Sequence, residues 1–287
     1  MAEHAVGGHQ KGFAFTLRRD AWWFEPLWTG LGFLLFTIFV NWEMFQGNHY
    51  WIGGAGNGFG GYLSPFYSPL VFVDPAAVGS APVDHALFGA APGWWPWFFP
   101  SPSAMFILPF PLSFRLTCYY YRKFYYRSYF FTPPACAVGP AKQPGRYEGE
   151  RMLLVFQNLH RYALYAGVVF IVILSWDAYM AFFRDGQFGV GVGSVILLIN
   201  PILLGTYTFG CHAWRHLVGG KKDCFSCDRF DAGKGNTAAY RRWSLTTWLN
   251  ERHMLFAWVS MIWVAWTGIY IRLVSMGILH DFNTWGA

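Results

Sequence analysis

Apolar positions along the chain collect into five long runs, at about Trp22–Phe45, Pro102–Tyr121, Leu153–Phe183, Val192–Val218 and His253–Met276. Crossing the hydrocarbon core of a bilayer takes roughly 20 helical residues. The pattern therefore predicts an all-α integral membrane protein, a bundle of five transmembrane helices. Pro109 and Pro111 interrupt the second run, and Asn200-Pro201 the fourth. Such breaks are tolerated in a membrane helix when neighbours cover the freed backbone groups. Between the runs lie a long loop, residues 46–101, and two shorter ones, 122–152 and 219–252. The whole chain, 1–287, reads as one membrane domain, with no internal repeat and no soluble catalytic domain.

Composition agrees with that class. Hydrophobic residues are 54% and charged residues 13% of the chain, about half the charged share usual in soluble domains. Charge also orients the bundle. Of the 21 Lys and Arg, all but Arg184 and Arg272 fall in the N-terminus, in Arg115–Arg161 or in Arg215–Arg252. The positive-inside rule makes that side cytoplasmic. The N-terminus is then inside, the C-terminus outside, and 46–101 becomes an outer loop. Its Gly, Pro and clustered Trp94, Trp95 and Trp97 suit an interfacial cap. The net charge of +6 is thus topological and calls for no nucleic acid. The start, MAEHAVGGHQKG, shows no pattern of a cleaved signal peptide.

On this topology all five cysteines, Cys118, Cys136, Cys211, Cys224 and Cys227, face the cytoplasmic side. Thiols there stay reduced, so a disulfide framework is not expected. Four histidines, His160, His212, His216 and His253, lie at the same end of the apolar runs. Thiolate and imidazole are the side chains that hold transition metals and iron–sulfur clusters. A single buried Cys is ordinarily a small hydrophobe, and a single intramembrane His can be spent on an interhelical hydrogen bond. The coincidence of Cys118, Cys211, His160 and His253 at matched depth favours a ligand set. His212 and His216 stand one helical turn apart, as paired ligands do. Cys224 and Cys227 form a C-x2-C, which would need two further ligands to close a metal site. Tyrosine and arginine are dense at the same level, mostly as an aromatic belt. A quinone slot needs a few polar donors in an apolar wall, and Tyr119, Arg122, Arg161, Tyr162 and Trp214 are candidates.

Four stretches, FRLTCYYYRKFYYRSYFFTPPACAV, FQNLHRYALY, TYTFGCHAWRHLVGG and NERHMLFAW, resemble the single membrane anchor of a respiratory complex II. The resemblance is to the succinate:quinone oxidoreductase class of mycobacteria and their relatives, and it covers roughly residues 105–270. It implies a Rieske-type [2Fe-2S] cluster in the membrane, in place of haem b. It also implies a flavoprotein partner with covalent FAD, an iron–sulfur partner with further clusters, and reduction of a quinone, menaquinone, at the bacterial inner (plasma) membrane. A Rieske centre takes two Cys on one iron and two His on the other. The soluble C-x-H and C-x2-H pattern is missing, so the first choice takes one ligand from each of the last four helices: Cys118, His160, Cys211 and His253. Cys136, His212 and His216 stand in reserve, and Cys224 with Cys227 leaves room for a second metal. The competing readings are a haem b anchor with two of the four histidines as axial ligands, a passive membrane scaffold, and a transporter. The last is disfavoured because few charges lie at mid-membrane and no pair of broken repeats is evident.

Overall fold

The computed structural model describes residues 12–53, 61–99, 101–141, 152–219 and 238–285. Among these, four helices are long and apolar enough to cross a membrane. They are α1 (Phe24–Gln46), α5 (Leu153–Met180), α6 (Val192–Phe209) and α9 (His253–Ser275). Each follows one of the predicted apolar runs. The run at 102–121 instead forms three short helices, α2 (Pro102–Ile107), α3 (Pro109–Thr117) and α4 (Tyr119–Ser128). Pro109 fixes the first junction, since proline starts a helix easily and cannot continue one. Cys118, in an extended conformation, makes the second. The predicted loops also contain helix. α4 runs on to Ser128, and α8 (Ala238–Glu251) occupies part of 219–252. The fourth run divides at Gly210–Cys211 into α6 and α7 (His212–Val218), while Asn200-Pro201 is absorbed within a continuous α6. Cys224 and Cys227 lie outside the described residues.

The chain divides into two compact units. The first comprises Met1–Thr37 and Arg115–Leu159. Here the start of α1 packs closely on the end of α4. Thr29 and Ser128 share a hydroxyl hydrogen bond at 3.1 Å, and the Tyr129 hydroxyl donates to the Gly30 carbonyl at 2.7 Å. Glycine at position 30 permits this approach, because a Cβ there would sit 3.1 Å from Ser128 Cβ. Glu25, in the first turn of α1, faces Lys123 and Arg127, each at 4.0 Å. That contact is half-exposed and contributes little to stability.

The second unit comprises Ile38–Phe114 and His160–Ala287. Its spine is the antiparallel pair α6 and α9. The Trp263 indole donates to the Ile196 carbonyl at 3.1 Å, and Tyr207 stacks on His253 at 4.8 Å. Residues 46–101 do more than cap the surface. Strands β1 (Trp51–Gly53) and β2 (Gly61–Leu63) pair antiparallel, Trp51 opposite Leu63. They lead into a stretch, Tyr62 to Ser68, in which every residue is buried. Phe66 of this stretch enters a notch at Gly268 of α9, where an added Cβ would lie 2.8 Å from the ring. Tyr50, Trp51, Leu63, Phe66, Tyr67, Leu70, Val73, Ala81 and Ala104 form one apolar cluster. Of the three predicted interfacial tryptophans, Trp94 and Trp97 are exposed.

Buried polar contacts fasten this end of the unit. Arg272 meets Glu43 through two nitrogens, at 3.1 and 2.8 Å, and gives two further hydrogen bonds of 3.0 Å to Asn48. Its guanidinium lies 4.6 Å from the centre of the Trp42 ring. Asp281 gathers the Tyr62 hydroxyl at 2.8 Å, the Tyr270 hydroxyl at 2.7 Å and the Gly193 amide at 2.9 Å. The last contact places a carboxylate at the N-terminus of α6, where the helix dipole favours it. Ser68 donates to Asp177 of α5. At the far end, Arg215 of α7 donates to Thr247 at 2.9 Å and covers the Trp243 ring at 4.4 Å, tying α7 to α8.

Candidate functional site

Two of the predicted cysteine ligands share an unusual local setting. Cys118 and Cys211 are each 1% exposed, and each is the N-cap of a short helix that follows a break in a longer apolar run. N-caps are commonly Ser, Thr, Asp or Asn, whose oxygens accept helix N–H groups. Cys211 fills that role with sulfur: its Sγ accepts the Trp214 amide at 3.3 Å. A negative charge on sulfur at such a position is met by the exposed amides of the first helical turn.

In the first unit, Cys118 is flanked along the chain by two buried arginines. Arg115 is 8% exposed and donates to the Tyr121 hydroxyl, while Arg122 is 2% exposed and lies 5.7 Å from the centre of the Phe156 ring. Cys136 differs from Cys118 in being exposed. It lies 3.8 Å from an Arg127 nitrogen, and its carbonyl accepts from Arg18 at 2.9 Å.

In the second unit, Gly210, the chain neighbour of Cys211, packs against His253. A Cβ at Gly210 would lie 2.8 Å from the Thr206 carbonyl oxygen and 3.2 Å from both His253 Nδ1 and the Leu249 carbonyl oxygen. Only glycine leaves the imidazole room beside the turn that carries Cys211. The Asn250 amide closes the same corner, donating to the Gly210 carbonyl at 2.8 Å. His253 is 2% exposed and stacks on Tyr207. Tyr207 meets Phe114 edge-on at 5.5 Å, and Phe114 stacks on His160 at 4.6 Å with rings 6° from parallel. The two predicted histidine ligands thus stand at the ends of a ladder of four rings, with Phe114 and Tyr207 between them.

The reserve histidines, His212 and His216, are exposed on α7. Among the quinone candidates Arg122 is buried, Trp214 is half-buried against Phe209 at 4.9 Å, and Tyr119, Arg161 and Tyr162 are exposed. The donor set fits a thiolate–imidazole centre in chemistry and burial: two buried thiols, the buried His253 and the half-buried His160. It does not yet fit in convergence. Among the described residues no group of three or more His, Cys, Asp or Glu side chains stands close enough to hold a metal ion.

Gly210, Phe114, Tyr207 and Arg115 were not identified from the sequence as site residues. Gly210 was open to detection, as a glycine at a helix end directly before a candidate ligand. The rings between the histidines leave no spacing signal, because Phe114 and Tyr207 come from different helices.

Comparison with known proteins gives the chain its place. Residues 24–277 match the family of actinobacterial succinate dehydrogenase subunit SdhC. None of the curated proteins compared matches the chain. A chain in the solved structure of the Mycobacterium smegmatis Sdh1 complex in the apo form is 42% identical. That match covers 95% of this chain and 94% of the other, with a TM-score of 0.77. Four apolar helices of spanning length make this a multi-pass membrane protein. The chain belongs to the actinobacterial SdhC family, the membrane-anchor subunit of succinate dehydrogenase.

Proposed function

We propose that this anchor passes electrons from the iron–sulfur subunit of its complex to a quinone, menaquinone. Cys118, His160, Cys211 and His253 are the residues that would hold a Rieske-type [2Fe-2S] cluster. The observation that carries this reading is the juxtaposition of buried Cys211 and buried His253 around Gly210, with Cys118 in a matching N-cap. When bound, such a cluster supplies one-electron transfer. The chain's own residues prepare the place. Trp214 N–H and the first turn of α7 meet the charge of Cys211, and the buried guanidinium groups of Arg115 and Arg122 add positive potential along the segment of Cys118. The ring stacks on Tyr207 and Phe114 fix the planes of His253 and His160.

The same proposal has the anchor in the bacterial inner membrane, with its basic face cytoplasmic. That face docks the iron–sulfur and flavoprotein subunits, and the lysines and arginines concentrated there suit an acidic partner surface. Quinone is then reduced near this face, with Tyr119, Arg122, Arg161, Tyr162 and Trp214 as the candidate donors. Low-temperature EPR of the purified complex tests the cluster. A Rieske-type signal beyond those of the partner subunit is expected, and the double variant His160→Ala/His253→Ala loses it while the complex still assembles. A full signal in that variant overturns the ligand assignment. A sharp haem band in the reduced-minus-oxidised optical spectrum overturns the choice of cofactor.

A further inference from the structure

The seam between α6 and α9 contains a polar side chain that its surroundings leave unsatisfied. Asn200 is 1% exposed, and among the described residues neither its amide nitrogen nor its amide oxygen has a hydrogen-bond partner. It is the ninth residue of the 18-residue α6, about 12 Å from either end of the helix. Buried polar groups in native proteins nearly always find a partner, in protein or in ordered water.

The other polar residues of the seam solve the problem locally. Ser194 bonds the Gly191 backbone in both directions at 2.8 Å, and Thr267 returns its hydroxyl to the Trp263 carbonyl at 2.9 Å. A hydroxyl on a helix can do this by reaching back one turn. The Asn200 amide carries two N–H donors and two acceptor lone pairs, and none of them is used in this way.

The backbone beside Asn200 adds a second polar group. Pro201 has no N–H, so the Leu197 carbonyl, one turn earlier, lacks the helical donor that any other residue would supply. Across the seam the contacts Ile196–Trp263 and Tyr207–His253 set the register, which puts buried Ser260 of α9, its hydroxyl donating to the Ala257 carbonyl at 3.3 Å, near the level of Asn200. Polar groups from both helices therefore meet at one level of an otherwise apolar contact. Ser64, whose Oγ lies 3.5 Å from where a Cβ at Gly268 of α9 would stand, is another buried hydroxyl without a hydrogen bond among the described residues.

We infer that Asn200 binds an internal water molecule in the α6–α9 seam, shared with the Leu197 carbonyl and the Ser260 level of α9. A site with two to four polar partners is what holds a buried water. The water makes the middle of this helix pair a hydrated station between the Tyr207–His253 contact and the Asp281 cluster. It lets an asparagine and a proline sit together at mid-helix without an orphaned amide.

X-ray radiolytic footprinting of the assembled complex, read by mass spectrometry, tests the site. A bound water struck by the beam oxidises the side chains beside it. Met261, next to Ser260 and 2% exposed, is out of reach of bulk solvent. Met261 is expected to be oxidised in the wild type, to stay oxidised in the isosteric Asn200→Asp, and to lose its label in Asn200→Leu, with exposed Met276 as the internal standard. An unlabelled Met261 in the wild type, or a label that survives in Asn200→Leu, overturns the inference. If Asn200→Leu does not assemble, loss of the label in Asn200→Asp overturns it and retention supports it.

Discussion

Replacing Arg272 by methionine isolates the contribution of the Glu43–Arg272 pair. The side chains of the two residues are 8% and 1% exposed. The change removes both contacts to Glu43, both hydrogen bonds to Asn48 and the cation over Trp42. Glu43 is then left as a buried carboxylate with no counter-charge, and breaking one side of a buried pair costs about 3–5 kcal/mol. The carboxylate has one escape, which is to take up a proton. Starting from an ordinary glutamate near 4.3, neutralising it at pH 7 costs about 1.4 kcal/mol per pH unit, or roughly 3.7 kcal/mol. That route caps the stranded-charge part, and with the Asn48 hydrogen bonds and the Trp42 contact also gone the expected loss is about 3–5 kcal/mol, a fall in midpoint on the order of 10 °C. The assay is fluorescence-detected size exclusion of heated complex, tagged on this chain. The double variant Glu43→Gln/Arg272→Met removes the stranded charge and should recover most of the loss, giving a coupling energy above about 1.5 kcal/mol. Lowering the pH toward 5 should also shrink the penalty of the single variant, because the escape costs less there. A single variant that loses less than about 1 kcal/mol, or a double variant no better than the single, refutes the reasoning.

Other outcomes follow from close contacts already described. Gly210→Ala should drive His253 from its place beside Cys211, so the Rieske-type EPR line shape changes or disappears in a complex that still assembles; an unchanged spectrum would show that Gly210 does not position the imidazole. Gly193→Ala puts a Cβ within 2.2 Å of the Tyr62 ring, which is buried and bonded to Asp281, and should cost about 1–3 kcal/mol as overpacking; wild-type thermal stability would argue that the ring yields. Burial, then the hydrogen bond and charge of Asp281, push the Tyr62 hydroxyl up to about 12, and burial does the same for Tyr50. With the folded value raised, the neutral phenols contribute stability fully below about pH 10, and that contribution is lost as pH rises toward 12. An ultraviolet titration should show a late tyrosine step that Tyr62→Phe reduces. Cross-linking should join the iron–sulfur subunit to residues on the Arg115–Arg161 and Arg215–Arg252 stretches. A partner joined instead to residues 61–99 would reverse the proposed orientation.

The spanning helices α1, α5, α6 and α9 were legible because hydrophobic runs of that length have few other uses in a chain. The division of 102–121 was less so: apolar content reads the same in one helix or three, and only Pro109 signalled a joint. α8 escaped notice because AAYRRWSLTTWLNE has neither an apolar run nor a clear stripe. The loop 46–101 was misjudged in depth. Glycine, proline and aromatic residues suit an interfacial surface, but they also suit a tightly packed turn, and Tyr62 to Ser68 follow the second course. At the site, the sequence placed Cys211 and His253 at helix ends of similar depth, and the structure joins them through Gly210. Cys136 looked equivalent to the other cysteines by compartment alone; its exposure separates it from Cys118. The stacking of His160 on Phe114 arises from packing between helices that no local pattern records.

The burial of Tyr62 to Ser68 also dictates when the protein can finish folding. These residues emerge from the ribosome early, yet what holds them comes last. Tyr62 bonds Asp281, 219 positions later, and Glu43 waits for Arg272, 229 positions later. Contacts of such long range are slow to form and cannot be made while the chain is incomplete. The segment must therefore be held, apolar and unpacked, until α9 and the residues after it arrive. A chain cut before Asp281 would keep the four described spanning helices and still lack the carboxylate that holds Tyr62, Tyr270 and the Gly193 amide. Asp281 acts as the latch of an assembly begun at Tyr62.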